Sequence, residues 1–298
     1  AMKQIKRTGM DKETIYTCYV IDGQRKLIGV VPLRTLICAK DEELVQDLME
    51  EDVVSVHTTD DQEEVAQIFK KYNWMALPVT DLENRLVGII TVDDIVDVIE
   101  QETTEDMEKM AALLPSDEEY LKTPVLKLAR NRIVWLCVLM VSGTLSSLVI
   151  SHYETLLATV MALSSFITII TGTGGNAGSQ ASTMIIRGMA LGEIEVKDVL
   201  RVVWKEVRVG ALCGIALGAV NMVRMTFFSP STGFLVDFTV SISMAAVVVL
   251  SKTIGCTLPI LAKILKVDPA MMAGPLISTL VDAVALIIYF SIATMLLL

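Results

Sequence analysis

The chain has 298 residues, 53% of them hydrophobic, with a mean hydropathy of +0.57; residues 1–122 hold 27 Asp/Glu against 13 Lys/Arg, while residues 123–298 carry a net charge of +4. An acidic half joined to an apolar, slightly basic half reads as two domains of opposite character, and it excludes the basic face that nucleic acid requires. Five scattered cysteines with no CxxC pair, and one histidine in each half, exclude a disulfide framework and a zinc cluster; no nucleophile–base pair marks an enzyme.

In chain order, residues 15–31 read as strand, polar turn and strand, followed by a short helix over 33–37. The same pattern returns at 75–91 and 93–96. Between them, residues 61–72 have helical spacing, with Val65, Ala66, Ile68 and Phe69 on one side. The two segments resemble a tandem cystathionine-β-synthase-type (CBS) pair. The second copy is complete from about residue 53 to 100, whereas the first lacks its opening helix and reads as truncated. The resemblance implies an adenine nucleotide, ATP or another. Gly88, Thr91 and Asp94 match the family's ribose-contacting pattern with one extra residue after the glycine, and Pro32 and Arg34 break it in the first copy. Tyr16 and Trp74 are candidates to stack on a base; ordinary aromatic packing is the competing reading, and both stand.

Residues 93–110 continue as an acidic helix. Helical spacing puts Asp94, Asp97 and Gln101 on one ridge and Glu102, Glu105 and Asp106 on an adjoining one. Like charges so placed repel unless a cation neutralises them, and carboxylate oxygens suit a hard cation. The plain alternative is a solvated acidic helix.

The apolar half offers five runs. Residues 133–150 and 155–186 carry no charge, 209–223 form a third run, 238–262 a fourth broken only by Lys252, and 269–298 a fifth whose only charge is Asp282. Basic residues crowd residues 187–208 and recur at Lys263 and Lys266. With five spans this puts the acidic domain on the cytoplasmic side and the C-terminus outside. A mid-span carboxylate costs roughly 2.5–3.5 kcal/mol on insertion scales and is a functional candidate by default; pairing with Lys252, or being held neutral in a helix contact, is its structural alternative. Gly274, Pro275, Ser278 and Asp282 form a small, polar stripe. Four glycines within residues 172–178 make a poor continuous helix. The expectation is irregular backbone whose carbonyls, with Asn176 and Gln180, offer oxygen ligands; close helix packing through small residues is the alternative.

Taken together, these features resemble the MgtE-type magnesium channel family, over nearly the whole chain. The resemblance implies a multidomain membrane protein: an α/β CBS pair over 1–100, an acidic connecting (plug) helix and linker over 101–130, and an all-α transmembrane domain of five helices per subunit over 131–298. The family's N-terminal acidic helical domain is not matched. Implied further are a homodimer in a bacterial inner membrane and a Mg²⁺ path lined by the second and fifth spans. Asp282 matches the pore aspartate that holds hydrated Mg²⁺, Gly175 a pore carbonyl, and Asn176, Ser179, Gly274 and Ser278 neighbouring positions; Ser179 and Gly274 replace asparagines found in some relatives. Asp61, Glu63, Asp94, Asp97, Glu102, Glu105, Asp106 and Asp268 match regulatory acids. High cytoplasmic Mg²⁺ would bridge these between subunits and shut the path; low Mg²⁺ would let them repel and open it. Competing readings are a Co²⁺ or Mn²⁺ pathway, a CBS-regulated anion channel, and a nucleotide sensor that transports nothing.

Overall fold

A computed structural model describes residues 1–40, 42–116, 118–228 and 233–298. The chain divides into two compact units, Ala1–Thr104 and Glu105–Leu298.

The first unit opens with α1 (Met2–Thr8), a helix with no buried residue, where the sequence reading expected none. It continues with β1 (Thr17–Ile21), β2 (Leu27–Pro32), α2 (Leu33–Cys38), α3 (Val45–Leu48), β3 (Val56–His57), α4 (Gln62–Tyr72), β4 (Ala76–Thr80), β5 (Leu86–Thr91) and α5 (Val92–Met110). β1 and β2 form an antiparallel ribbon; β3, β4 and β5 form a sheet with β3 parallel and β5 antiparallel to β4. The internal repeat is exact at the turns. Asp22 Oδ1 accepts from the Gln24 and Lys26 amides, and Asp81 Oδ1 accepts from the Glu83 and Arg85 amides. Arg25 and Asn84 both adopt positive φ (67° and 61°), and each ribbon shifts register at the same place, Val20/Ile21 and Val79/Thr80. The turns then bond to each other: Leu27 N donates to Asn84 O and Leu86 N to Arg25 O, both at 2.9 Å. α4 has a side-chain N-cap from Asp61, acids in its first turn and lysines in its last, as the helix dipole favours. Its buried Val65, Ala66 and Phe69 meet Val56, Leu77 and Ile95 in the core.

The second unit contains α6 (Val125–His152), α7 (Glu154–Thr159), α8 (Ile167–Ala190), α9 (Val199–Phe228), α10 (Phe234–Ile264) and α11 (Gly274–Leu297). Among the described residues, four segments are long and apolar enough to cross a membrane: Val125–His152, Val196–Phe228, Phe234–Ile264 and Pro269–Leu297. The second expected span is α8. Its 24 residues reach about 36 Å at 1.5 Å per residue, but glycine, Asn176 and Gln180 leave it less apolar. The front of that run, residues 155–166, is instead the short α7 and a 3₁₀ segment, Met161–Phe166. Residues 229–232, in the connection between the third and fourth runs, lie outside the described residues.

The expected irregular backbone at 172–180 is not found; α8 runs through it as continuous helix. Space explains why. A Cβ on Gly174 would stand 2.8 Å from Val247 Cγ1, and one on Gly178 would stand 3.1 Å from Val281 Cγ2 and 3.3 Å from Ser251 O. On α10, a Cβ on Gly255 would collide with the Gly178 carbonyl. The glycines therefore let α10 and α11 close on α8, and the packing gained offsets their poor helix propensity. Gly210, Gly214 and Gly218 seat α9 on α10 in the same way, against Val249, Ala245 and Ser241. Toward the other end, Tyr289 and Phe290 of α11 fill a core with Leu163, Ile170, Met225 and Val240, and the Tyr289 hydroxyl donates to Leu163 O at 3.0 Å.

Gly255→Ala should therefore destabilise the helix bundle by about 1–3 kcal/mol, the usual cost of overpacking. Gly143→Ala on α6, where a Cβ meets nothing within 4 Å, is the control and should be neutral. Thermal melts in detergent, followed by monodisperse recovery, separate the two; equal melting points would refute the close-packing account.

Candidate functional site

The i, i+4 spacing of Gly274, Ser278 and Asp282 brings them up one face of α11, and Gly175 and Ser179 face them from α8. A Cβ on Gly175 would lie 3.4 Å from Ser278 Oγ and 3.5 Å from Asp282 Oδ1. Ser179 Oγ and Ser278 Oγ are 3.3 Å apart, and Ser278 Oγ donates to Gly274 O at 3.1 Å. Asp282 is half-buried, and among the described residues it has no hydrogen-bond or ion-pair partner. The alternative that Asp282 is held by Lys252 does not apply, because Lys252 pairs with Glu206. Five of the six expected path residues thus come together. Asn176 is the exception: it is exposed and faces a cavity lined also by Ser179, Gln180, Glu206 and Lys252.

The acids expected to regulate fall into distinct settings. In the first unit, Asp61 caps α4 by accepting from Glu63 N, and Gln62 Nε2 donates to Glu102 Oε1 at 2.5 Å. Asp94 Oδ2 accepts from Thr91 Oγ1 at 2.8 Å; Asp97 is exposed. In the second unit, Glu105 and Asp268 do meet, through a lysine. Lys109 Nζ lies 2.5 Å from Glu105 Oε1 and 2.5 Å from Asp268 Oδ2. Burial pushes this ammonium's pKa down, but the hydrogen bonds it donates to Asp268 and Glu105 outweigh it and hold the pKa above the ordinary lysine range. A raised pKa means the contribution is complete below the unfolded lysine value, so the contact persists through neutral pH. Asp268 is doubly used, since its Oδ1 also accepts from Ala270 N at 2.8 Å. Beside this triad Met110 packs on Ile186, Ala270 and Ala273. Gly274 has φ +48°, and a Cβ there would collide with the Met110 carbonyl. Sequence reasoning overlooked Lys109, whose i+4 spacing from Glu105 was the available signal. No group of three or more His, Cys, Asp or Glu among the described residues is placed to hold a metal.

A cavity of about 610 Å³ lies between the two repeats of the first unit. Tyr16, Pro32, Arg34, Trp74, Met75 and the acids Glu50 and Asp52 are among its lining. Trp74 stacks on Tyr72 at 4.8 Å. Two of the four expected nucleotide residues are therefore present. Thr91 and Asp94 bond to each other and are not in the lining, whereas Pro32 and Arg34, which break the sequence pattern, are.

By architecture this is a multi-pass membrane protein whose first unit repeats a strand–turn–strand motif and whose apolar half holds Asp282, without a partner among the described residues. Residues 167–292 match the MgtE family, described as divalent cation transporters, and residues 45–101 match the CBS domain. The chain is 39% identical over 296 residues to the magnesium transporter MgtE of Thermus thermophilus, and 37% identical over 295 to that of Enterococcus faecalis. Both alignments cover 99% of this chain but only 65% and 64% of the relatives' lengths. It is also similar to the crystal structure of the cytosolic domain of the Mg²⁺ channel MgtE in complex with ATP (47% identity, TM-score 0.32, 33% of this chain and 39% of that one). Over 99% of its length the chain is similar to these members of the MgtE family, which are named as transporters rather than enzymes.

Lys109→Met leaves Glu105 and Asp268 facing each other, a loss of roughly 1–3 kcal/mol for an unpaired, partly buried charge. In Mg²⁺-free buffer, proteolysis within residues 105–124 should speed up relative to the parent chain, and Mg²⁺ should restore protection by replacing the ammonium. Equal cleavage rates without Mg²⁺ would contradict this role for Lys109.

Proposed function

We propose that this chain forms a passive path for Mg²⁺ across a bacterial inner membrane, as a homodimer in which two copies of Asp282 face a shared axis. The observation that carries the reading is the unpaired Asp282, framed by Gly175, Ser179, Gly274 and Ser278. A carboxylate with no counter-charge inside an apolar bundle is costly unless water or a cation reaches it. Small neighbours leave room for the hydration shell that Mg²⁺ gives up reluctantly, so contact is made through water. One carboxylate per chain is a sparse site for a divalent ion; a second copy doubles it. Asn176, Gln180 and Thr183 form an exposed polar stripe on α8, which is likewise better placed against water or a second copy than against lipid.

The acidic first unit lies on the cytoplasmic side in this proposal, with the C-terminus outside, following the basic residues in 187–208. Asp61, Glu63, Asp94, Asp97, Glu102 and Asp106 bind regulatory Mg²⁺ between subunits, while Glu105 and Asp268 are both held by Lys109 within the chain. Bound metal favours the closed state by the difference in its affinity for the two states. An adenine nucleotide such as ATP fits the cavity between the repeats. Its volume is within the usual range of about 300–1,000 Å³ for ligand sites, Tyr16 and Trp74 offer faces for a base, and Arg34 a cation for phosphate.

Reconstituted in liposomes, the protein should admit Mg²⁺, and Asp282→Ala should reduce influx to that of protein-free vesicles. Influx by the variant at the parent rate would overturn the path. Competition by Co²⁺ and Mn²⁺ in the same assay decides between a Mg²⁺ path and a broader divalent one. Trp74→Ala should weaken ATP binding about tenfold, the worth of one stacked base, as measured by titration calorimetry; undiminished affinity would remove the nucleotide from this cavity.

A further inference from the structure

Asp282 is not the sole charge set into the helix bundle. Lys252 on α10 is only 7% exposed, and its Nζ lies 4.0 Å from Glu206 Oε2 on α9. The lysine stem reaches the carboxylate by crossing α9 at Gly210, where an added Cβ would stand 3.7 Å from Lys252 Cδ. Glu206 is one helical turn before that glycine, so the sequence provides both the slot and the partner. Replacing such a buried pair by apolar residues is often neutral or stabilising, so packing alone gives no reason for one here.

The surroundings of the pair supply a reason. Glu206 and Lys252 open on a cavity of about 750 Å³ whose opposite wall is α8, with Asn176, Ser179, Gln180 and Thr183. Polar side chains and an ion pair around an open cavity in the helix bundle require water or protein, not hydrocarbon. Ser179 belongs to this wall and also stands 3.3 Å from Ser278, one turn from Asp282. Ser251, beside Lys252, would contact a Cβ on Gly174 at 3.1 Å, and the next residue, Gly175, faces Asp282. The pair and Asp282 therefore flank the same two turns of α8.

We propose that Glu206 is a second carboxylate of the cation path and that Lys252 is its tethered counter-charge, setting how strongly the path attracts a hydrated divalent cation. With both present the cavity is neutral. Loss of the lysine leaves one negative charge focused by low-dielectric walls; loss of the glutamate leaves one positive charge. The inference rests on the reading of Asp282 as a path residue.

The test is Mg²⁺ influx into liposomes for the full chain and its variants, with melting points measured in parallel. Lys252→Met should lower the half-saturating Mg²⁺ concentration, and Glu206→Gln should raise it, each by about tenfold, the lower end of electrostatic focusing. The double variant should return close to the parent value. Shifts of the two single variants in the same direction, or no shift in folded protein, overturn the inference. Where Lys252→Met yields no folded protein, Glu206→Gln decides with the double variant: its half-saturation must rise, and adding Lys252→Met must reverse the rise. Asp282→Asn belongs in the same series. If it conducts like the parent chain, the path reading itself fails; if it is silent while the Glu206 and Lys252 variants do not oppose each other, only the counter-charge fails.

Discussion

Close contact between α8 and α10 governs the second unit. Gly178 and Gly255 meet backbone to backbone, and the glycine-for-methyl exchange on either helix would part them. With the helices this near, Ser251 and Val281 lock against α8, and Gly175 can face Asp282 with no side chain between them. The carboxylate's surroundings are thus set by what is missing from α8 rather than by ligands it supplies. Membrane helices lack a hydrophobic drive toward one another, so contact area and close approach carry the association.

Charge is handled differently in three places. At Glu105 and Asp268 an ammonium stands between two acids. At Glu206 a lysine answers one acid at a looser 4.0 Å. At Asp282 nothing among the described residues answers. The gradation separates contacts that hold helices together from a carboxylate whose role belongs to the proposed function. Lysine suits the first two because its compact, flexible head can bridge partners without a fixed fork.

Much of this was legible in the sequence. The repeated hairpins were visible as two similar strings and proved the same down to the Asp22 and Asp81 turns. Asp282 stood out because an isolated charge in an apolar run has no other cause so common. The state of residues 172–180 was not legible, because glycine serves broken helices and tight packing alike, and only the partners Val247, Ser251 and Val281 decide between them. Pairings across long separations were hidden too: Lys109 finds Asp268 and Lys252 finds Glu206 by topology, which no local pattern encodes. The surroundings of the nucleotide pattern were hidden for a related reason: Thr91 and Asp94 bond to each other, while the cavity between the repeats is lined by Pro32 and Arg34, which interrupt the pattern.

The Met110 carbonyl resting on Gly274 carries a consequence for descent. Position 274 lies at once beside Ser278, in the cluster around Asp282, and beneath the end of α5. A chain that acquires a side chain there gains a new group near the carboxylate only by moving that helix end. Mutations at 274 and in 109–110 are therefore tied in their effects, and a chain with a larger side chain at 274 must hold the end of α5 by a different set of contacts. Variation at this one glycine should be read across the pair of segments, never as a change of ligand alone.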